Sequence, residues 1–119
     1  MTAADEQPVL WFNASCSKCR AALELLRARG VEPRLREYLK EPPSPAELRA
    51  LLAKLPEPRR AVRSGEDQYG ASGLTQFSSP EQLALAISRA PILLERPIFE
   101  TGNGAVIARP PEKLLELLE

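Results

Sequence analysis

The order of apolar and polar positions predicts strands and a helix in alternation along the first third of the chain. An apolar run at 9–13 is typical of a short buried strand. The pattern over 21–29 indicates an amphipathic helix that ends at Gly30. Its expected core face consists of Cys19, Ala22, Leu23 and Leu26. A weaker alternation after Pro33 predicts a second strand, which gives a βαβ unit with parallel strands and a right-handed crossover.

Two capping signals predict helices in the middle of the chain. Ser44-Pro45-Ala46-Glu47 combines a capping box with proline at the first helical position, so a helix is expected from Pro45 to about Lys54. Ser79-Pro80-Glu81-Gln82 repeats the signal and predicts a helix through Arg89. Residues 59–63 have room for one or two helical turns, and 64–78 is predicted to be mostly surface loop with room for one helical turn. The inward side chains expected of the two helices are Leu48, Leu51, Leu52 and Leu55, and Leu83, Ala86, Ile87 and Ala90.

The last third of the chain predicts a hairpin followed by a helix. Apolar runs at 98–101 and 105–108 flank Gly102-Asn103-Gly104, a signature of a tight turn with positive φ. A helix is expected at 110–118. The complete order is that of an α/β, thioredoxin-like fold: a central mixed four-stranded sheet flanked by helices on both faces, with a helical insertion at about 42–90 between its βαβ and ββα halves. We expect one domain over 1–119, with a flexible tail at 1–8.

Composition narrows the range of functions. Sixteen basic and sixteen acidic residues cancel, so no strong overall field attracts nucleic acid or an anionic membrane surface. The first eight residues lack the regions of a signal peptide, and no apolar run approaches the ~20 residues of a membrane span. We therefore expect a cytoplasmic protein, and a monomer because each predicted helix has one buried stripe.

The candidate chemistry lies in Cys16-Ser17-Lys18-Cys19-Arg20, between the first strand and the first helix. A thiol at a helix N-terminus meets unpaired N–H groups and the positive end of the helix dipole, which favour the thiolate, and Lys18 and Arg20 add positive charge. A structural zinc site would need about four ligands, and the chain has no histidine and no other cysteine, so we expect no metal and no bound cofactor. Two inert core cysteines are the plainer alternative, although Cys16 lies among polar residues. Cys-x-x-Cys at such a turn favours a redox function.

Three arginines are predicted to approach this turn. Arg63 precedes the long loop, Arg96 precedes the third strand and Arg109 follows the fourth. A single arginine is most often a solvated surface charge. Pro97, however, follows Arg96 at the point where thioredoxin-like folds carry a cis proline against the active-site cysteine.

Together these residues resemble a known family, the glutaredoxin-dependent arsenate reductases and the related Spx-type transcription regulators. The resemblance spans nearly the whole chain. It rests on Asn13-x-x-Cys16 with Arg20, Tyr38-Leu39-Lys40-Glu41-Pro42-Pro43-Ser44, Arg60-Ala61-Val62-Arg63 with Tyr69 and Gly73-Leu74, Pro91-Ile92-Leu93-Leu94-Glu95-Arg96-Pro97-Ile98, and Arg109-Pro110.

The resemblance implies a function and a set of site residues. Cys16 is the implied nucleophile, Arg63, Arg96 and Arg109 are the implied oxyanion-binding arginines, and Asn13, Arg20 and Pro97 are supporting residues. In the family's reaction the cysteine forms an adduct with arsenate, glutathione and glutaredoxin supply electrons, and arsenite leaves. Guanidinium groups suit this step because they stay charged and bind oxyanions through paired hydrogen bonds.

Two departures from the family pattern leave more than one function open. Phe12 stands where the reductases often have histidine. Cys19 stands where they commonly have serine, whereas the Spx-type regulators commonly have two cysteines. Cys19 is thus a candidate resolving cysteine, which would make thioredoxin the electron donor. The chain could also be a redox-sensing regulator that binds RNA polymerase, or a thiol oxidoreductase with a different substrate.

Overall fold

The computed structural model describes residues 7–118 and divides them into two compact units. The first unit combines residues 7–38 and 96–118, and the second consists of 39–95, so the second is inserted in sequence between the halves of the first. The helical insertion expected at 42–90 falls within this second unit. Most of the tail expected at 1–8 lies outside the described residues.

A mixed four-stranded sheet forms the centre of the first unit, as predicted. Its strands are β1 (Val9–Trp11), β2 (Arg34–Arg36), β3 (Ile98–Thr101) and β4 (Gly104–Ile107), in the order β2-β1-β3-β4. The pairing of β1 with β2 is parallel, whereas the pairings of β1 with β3 and of β3 with β4 are antiparallel. Gly104, at the end of the hairpin turn, has the expected positive φ of 145° and begins β4.

The first helix is α1 (Ser17–Ala28), with Cys16 at its N-terminus as expected, and it begins before the amphipathic pattern at 21–29. Ser17 and Lys18 are exposed, so this first turn carries no apolar signal in the sequence. Gly30 ends the helix with a φ of 77°, as predicted. The Gly30 N–H donates to the Arg27 carbonyl and the Val31 N–H to the Leu26 carbonyl, which is the Schellman pattern of a helix C-terminus.

One apolar cluster of the first unit lies on one face of its sheet. Because side chains alternate along a strand, Leu10 and Phe99 share a face, where their pairing brings them together. The α1 side chains on this face are Cys19, Ala22 and Leu26, whereas Leu23 is only half-buried. Leu114 joins them from a C-terminal 3₁₀ helix (Pro111–Leu117), which stands where a helix is predicted. On the other face, Arg36 stacks over the Trp11 ring, and Trp11 Nε1 donates to Glu100 Oε1 at 3.1 Å.

The second unit is helical. It contains α2 (Pro45–Lys54), α3 (Asp67–Ser72) and α4 (Pro80–Arg89), with short 3₁₀ helices at Pro58–Ala61 and Pro91–Leu93. Both predicted capping boxes are present, and α2 and α4 have the predicted bounds. Ala84 is buried in α4, whereas Ala86 and Ala90, predicted to face inward, are half-buried. No helix in the described part of the chain is long and apolar enough to cross a membrane.

Candidate active site

The cysteine turn lies at the edge of the first unit's sheet, where three strand ends meet. The antiparallel register pairs Trp11 at the end of β1 with Ile98 at the start of β3, and Ile98 with Ile107 at the end of β4. Residues that follow β1, precede β3 and follow β4 therefore share one edge of the sheet. This register brings the segments of Cys16, Arg96 and Arg109 together, as the sequence predicts for these three residues.

Asn13 shapes the turn between β1 and α1. Its side-chain Oδ1 accepts from the Ser15 N–H at 3.0 Å, and its carbonyl accepts from the Cys16 N–H at 2.9 Å. Arg20 braces the same turn from α1, because its Nη1 donates to the Ala14 carbonyl at 2.8 Å. Asn13 and Arg20 thus hold the backbone that presents Cys16.

Cys16 is the N-cap residue of α1, with extended backbone (φ −94°, ψ 121°). Burial alone would raise the pKa of its thiol, but hydrogen bonding from the Cys19 backbone, the Cys19 thiol and the Arg96 side chain outweighs burial, so the pKa is lowered from 9.0. The Lys18 backbone N–H contributes in the same direction. Cys16 also lies at the positive end of the helix dipole, which favours a negatively charged sulfur. The result is a half-buried thiol that favours the thiolate.

Cys19 has the opposite environment, although it lies one turn along the same helix. Its side chain has an exposed fraction of 0% and belongs to the apolar core. Burial raises its pKa to about 12, against the lowering effect of the Asn13 N–H, and the Cys16 sulfur adds to the rise. The two free thiols therefore divide into an accessible acidic one and a buried protonated one.

Arg96 and Arg109 lie at the same sheet edge as the cysteine turn. Arg96 is half-buried and its side chain hydrogen-bonds the Cys16 sulfur, and the Arg96–Pro97 bond is cis, as expected. Arg109 is exposed, and its Nη1 donates to the Arg96 carbonyl at 2.9 Å. The Arg109–Pro110 bond is also cis, which no sequence pattern predicts.

Arg63 lies in the second unit and carries two acidic partners. Its Nε is 3.2 Å from Glu66 Oε2, and its Nη1 is 3.4 Å from Glu95 Oε1. The spacing of Arg63 and Glu66 could have indicated their contact, whereas Glu95 is brought near by the backbone bridge between Val62 and Leu94. Sequence analysis missed both carboxylates.

The described residues contain no group of three or more histidine, cysteine or acidic side chains arranged to hold a metal ion. The groups that the structure brings together at this site are the Cys16 thiol and the Arg96 guanidinium. A thiol at the first turn of a helix and a cis proline at the same edge of a four-stranded mixed sheet are typical of a thioredoxin-like thiol protein.

Comparison with known proteins identifies the family. Residues 11–117 match the ArsC family, to which the chain belongs. The chain is 40% identical to the uncharacterized protein YfgD of Escherichia coli, with 95% of this chain and 98% of the relative covered. It is 36% identical to a Haemophilus influenzae protein named arsenate reductase, with 92% and 97% covered. A solved arsenate reductase from Vibrio cholerae superposes with a TM-score of 0.85 at 36% identity, over 93% of this chain and 97% of that one. The family resemblance and the thioredoxin-like fold predicted from the sequence are thereby confirmed.

Proposed function

We propose that the protein is an arsenate reductase in which Cys16 is the nucleophile. One observation carries the proposal: on an ArsC scaffold, the thiol with the lowered pKa is the one hydrogen-bonded by Arg96. A cation in contact with the sulfur favours the thiolate and also attracts an oxyanion to it. The relatives that carry the name arsenate reductase support arsenate as the substrate.

In the proposed first step, the Cys16 thiolate attacks the arsenic atom and forms a sulfur–arsenic bond, while one arsenate oxygen leaves as water after protonation. A second thiolate then attacks the Cys16 sulfur. The electron pair of the sulfur–arsenic bond goes to arsenic, which is reduced from As(V) to As(III) and leaves as arsenite. The two sulfur atoms are oxidised to a disulfide, which external thiols later reduce.

The arginines are proposed to bind the arsenate oxygens. Arg96 is proposed to hold an oxygen while the thiolate attacks, and Arg109, on the neighbouring strand end, is proposed to bind from the exposed side. Arg63 is the third proposed ligand, although Glu66 and Glu95 already pair with it. Guanidinium groups offset the repulsion between a thiolate and a multiply charged anion.

Glutathione is proposed as the second thiol, and glutaredoxin as the protein that reduces the resulting mixed disulfide. Cys19 is a weak candidate for that attack because its sulfur has no exposed surface and its pKa is raised by burial to about 12. The thiolate is the attacking species, so a thiol that stays protonated reacts slowly.

The test is arsenite production from arsenate by the purified protein, with glutathione plus glutaredoxin in one reaction and thioredoxin plus its reductase in another. Cys16→Ser and Cys19→Ser form a matched pair, because each removes one sulfur from the same helical turn. We expect turnover with glutaredoxin, its loss in Cys16→Ser and its survival in Cys19→Ser. Turnover that requires both cysteines and thioredoxin would contradict the proposed donor, and no turnover with either donor would contradict arsenate reduction itself.

A further inference from the structure

The second unit contains a cavity that includes none of the residues assigned to the active site. Its volume is about 370 Å³, near the lower end of the range of about 300–1,000 Å³ for small-molecule sites. Its walls are formed by α3, by the loop that follows α3 and by α4. The apolar part of the lining consists of Ala71, Leu74, Leu85, Ala86 and Ala90. The cavity therefore has the size and the apolar surface of a site for a small organic molecule.

The walls of this cavity are held by hydrogen bonds within the second unit. At the end of α3, Ser72 Oγ donates to the Tyr69 carbonyl at 2.6 Å and accepts from the Leu74 N–H at 3.1 Å. In the loop, Ser78 Oγ accepts from the Thr75 N–H at 2.8 Å, and the Ser78 N–H donates to the Thr75 carbonyl at 3.1 Å. The two serine hydroxyls of the lining thus stabilise its shape in the absence of a ligand, which lowers the conformational cost of binding one.

The polar groups of the lining that remain without a partner are mainly donors. Among the described residues Arg89 is the only charged one in the lining, and its guanidinium makes no hydrogen bond or ion pair within 7–118. The Gln68 side chain likewise has no hydrogen bond to the described part of the chain. Gln82 Oε1 accepts from the Ser79 N–H at 2.7 Å, which leaves the NH₂ group of that side chain to donate elsewhere. An apolar wall with one permanent cation and further donors favours an anionic ligand that is rich in acceptors.

We propose that this cavity binds a small molecule that carries one carboxylate, an amide and an apolar side chain, the chemistry of an N-acylated apolar amino acid. Arg89 binds the carboxylate, because a guanidinium group matches its two oxygens with paired hydrogen bonds. The Gln68 and Gln82 side chains hydrogen-bond the ligand amide, and the alanine and leucine side chains surround its apolar part. A single cation compensates one negative charge, so a phosphate or arsenate dianion is a poorer match. The proposal concerns a second site and does not depend on the proposed function.

The test is a titration of the full chain with N-acetyl-leucine, followed by amide NMR spectra. Two comparison ligands separate the parts of the probe: N-acetyl-leucinamide lacks the negative charge, and inorganic phosphate lacks the apolar side chain. Arg89→Gln removes the cation from the lining. Arg49→Gln is the matched control, because Arg49 is an exposed arginine of α2 that does not line the cavity.

We expect N-acetyl-leucine to cause saturable shifts of amide signals from the lining of the cavity. Binding should be weaker by about tenfold or more for N-acetyl-leucinamide and for Arg89→Gln, and unchanged for Arg49→Gln. The spectrum of Arg89→Gln shows in the same experiment whether that variant is folded. The proposal is overturned if no saturable shift occurs at the lining, if N-acetyl-leucinamide or phosphate binds as tightly as N-acetyl-leucine, or if the two arginine variants lose affinity equally.

Discussion

The burial of Cys19 predicts that the protein loses stability in alkaline solution through one identifiable group. In the folded chain the thiol is 0% exposed and its pKa is raised by burial to about 12, against an ordinary value of 9.0. Above 9.0 the unfolded chain therefore releases the Cys19 proton while the folded chain keeps it. An unfolded state that binds fewer protons gains population as pH rises. The free energy of unfolding therefore falls in the window between pH 9.0 and about 12.

The magnitude follows from proton linkage. The contribution of Cys19 to the free energy of unfolding is fully present below the ordinary thiol pKa. It is lost as the pH rises toward the pKa that Cys19 has in the folded chain. One proton released on unfolding corresponds to about 1.4 kcal/mol for each pH unit within the window. Cys16 contributes with the opposite sign and in a lower window, because its lowered pKa adds stability as pH rises toward the ordinary value.

The assay is urea unfolding under reducing conditions at several pH values on either side of 9.0, for the wild-type protein and Cys19→Ser. The serine hydroxyl does not titrate in this range, and every titration that does not depend on Cys19 is common to both proteins and cancels in the difference. Cys16, whose pKa depends on Cys19, contributes below pH 9.0 and so lies outside the window. We expect the difference in free energy of unfolding between the two proteins to carry no contribution from Cys19 ionisation below pH 9.0 and to shift against the wild type by about 1.4 kcal/mol per pH unit between 9.0 and about 12. Parallel curves throughout would refute the reasoning and show that Cys19 ionises as readily in the folded chain as in the unfolded one.

Three further substitutions test other parts of the description. Arg96→Ala should raise the pKa of Cys16, measured by alkylation, because it removes a hydrogen bond that lowers that pKa; an unchanged value would place the guanidinium away from the sulfur. Ser79→Ala should lower the free energy of unfolding by about 1 kcal/mol in urea, since the Ser79 side chain accepts from the Gln82 N–H at the start of α4. Gly30→Ala should lower the free energy of unfolding in urea by about 1 kcal/mol, because the backbone at this position has a φ of 77°. Gly65→Ala should lower it less, because φ is not positive there and a Cβ meets nothing within 4 Å. Equal losses in the two variants would exclude backbone strain as the cause.

Elements whose signals are local could be predicted from the sequence. The two capping boxes and the stop at Gly30 each lie within a few residues, so α2, α4 and the end of α1 are where the sequence indicates. The start of α1 at Cys16 follows from the expected position of that thiol at a helix N-terminus, but the amphipathic pattern begins only at 21 because Ser17 and Lys18 are polar and exposed. The first turn is supported by the loop that Asn13 holds rather than by an apolar pattern.

The candidate site was predictable only in part, for a related reason. The environment of the Cys16 thiol at a helix start follows from local order, but its contact with Arg96 depends on the pairing of β1 with β3, which joins distant segments. Sequence analysis placed Arg96 there through the family resemblance. The difference in burial between the two thiols could not be predicted from the sequence. It depends on how the core packs, and the Cys-x-x-Cys pattern does not indicate which sulfur is buried.

The distribution of charge around the arginines has a consequence for anion binding. The chain has no net charge, so attraction of an oxyanion must come from local groups. Arg63 pairs with Glu66 and Glu95, and the three side chains are each about one quarter exposed, so two carboxylates already compensate its positive charge. An oxyanion that binds Arg63 has to displace or share those contacts, whereas at Arg109 it meets a guanidinium whose described contact is a neutral carbonyl oxygen. We therefore propose that an oxyanion is attracted first to the sheet edge that carries Cys16, Arg96 and Arg109, and that binding by Arg63 requires its carboxylate partners to rearrange.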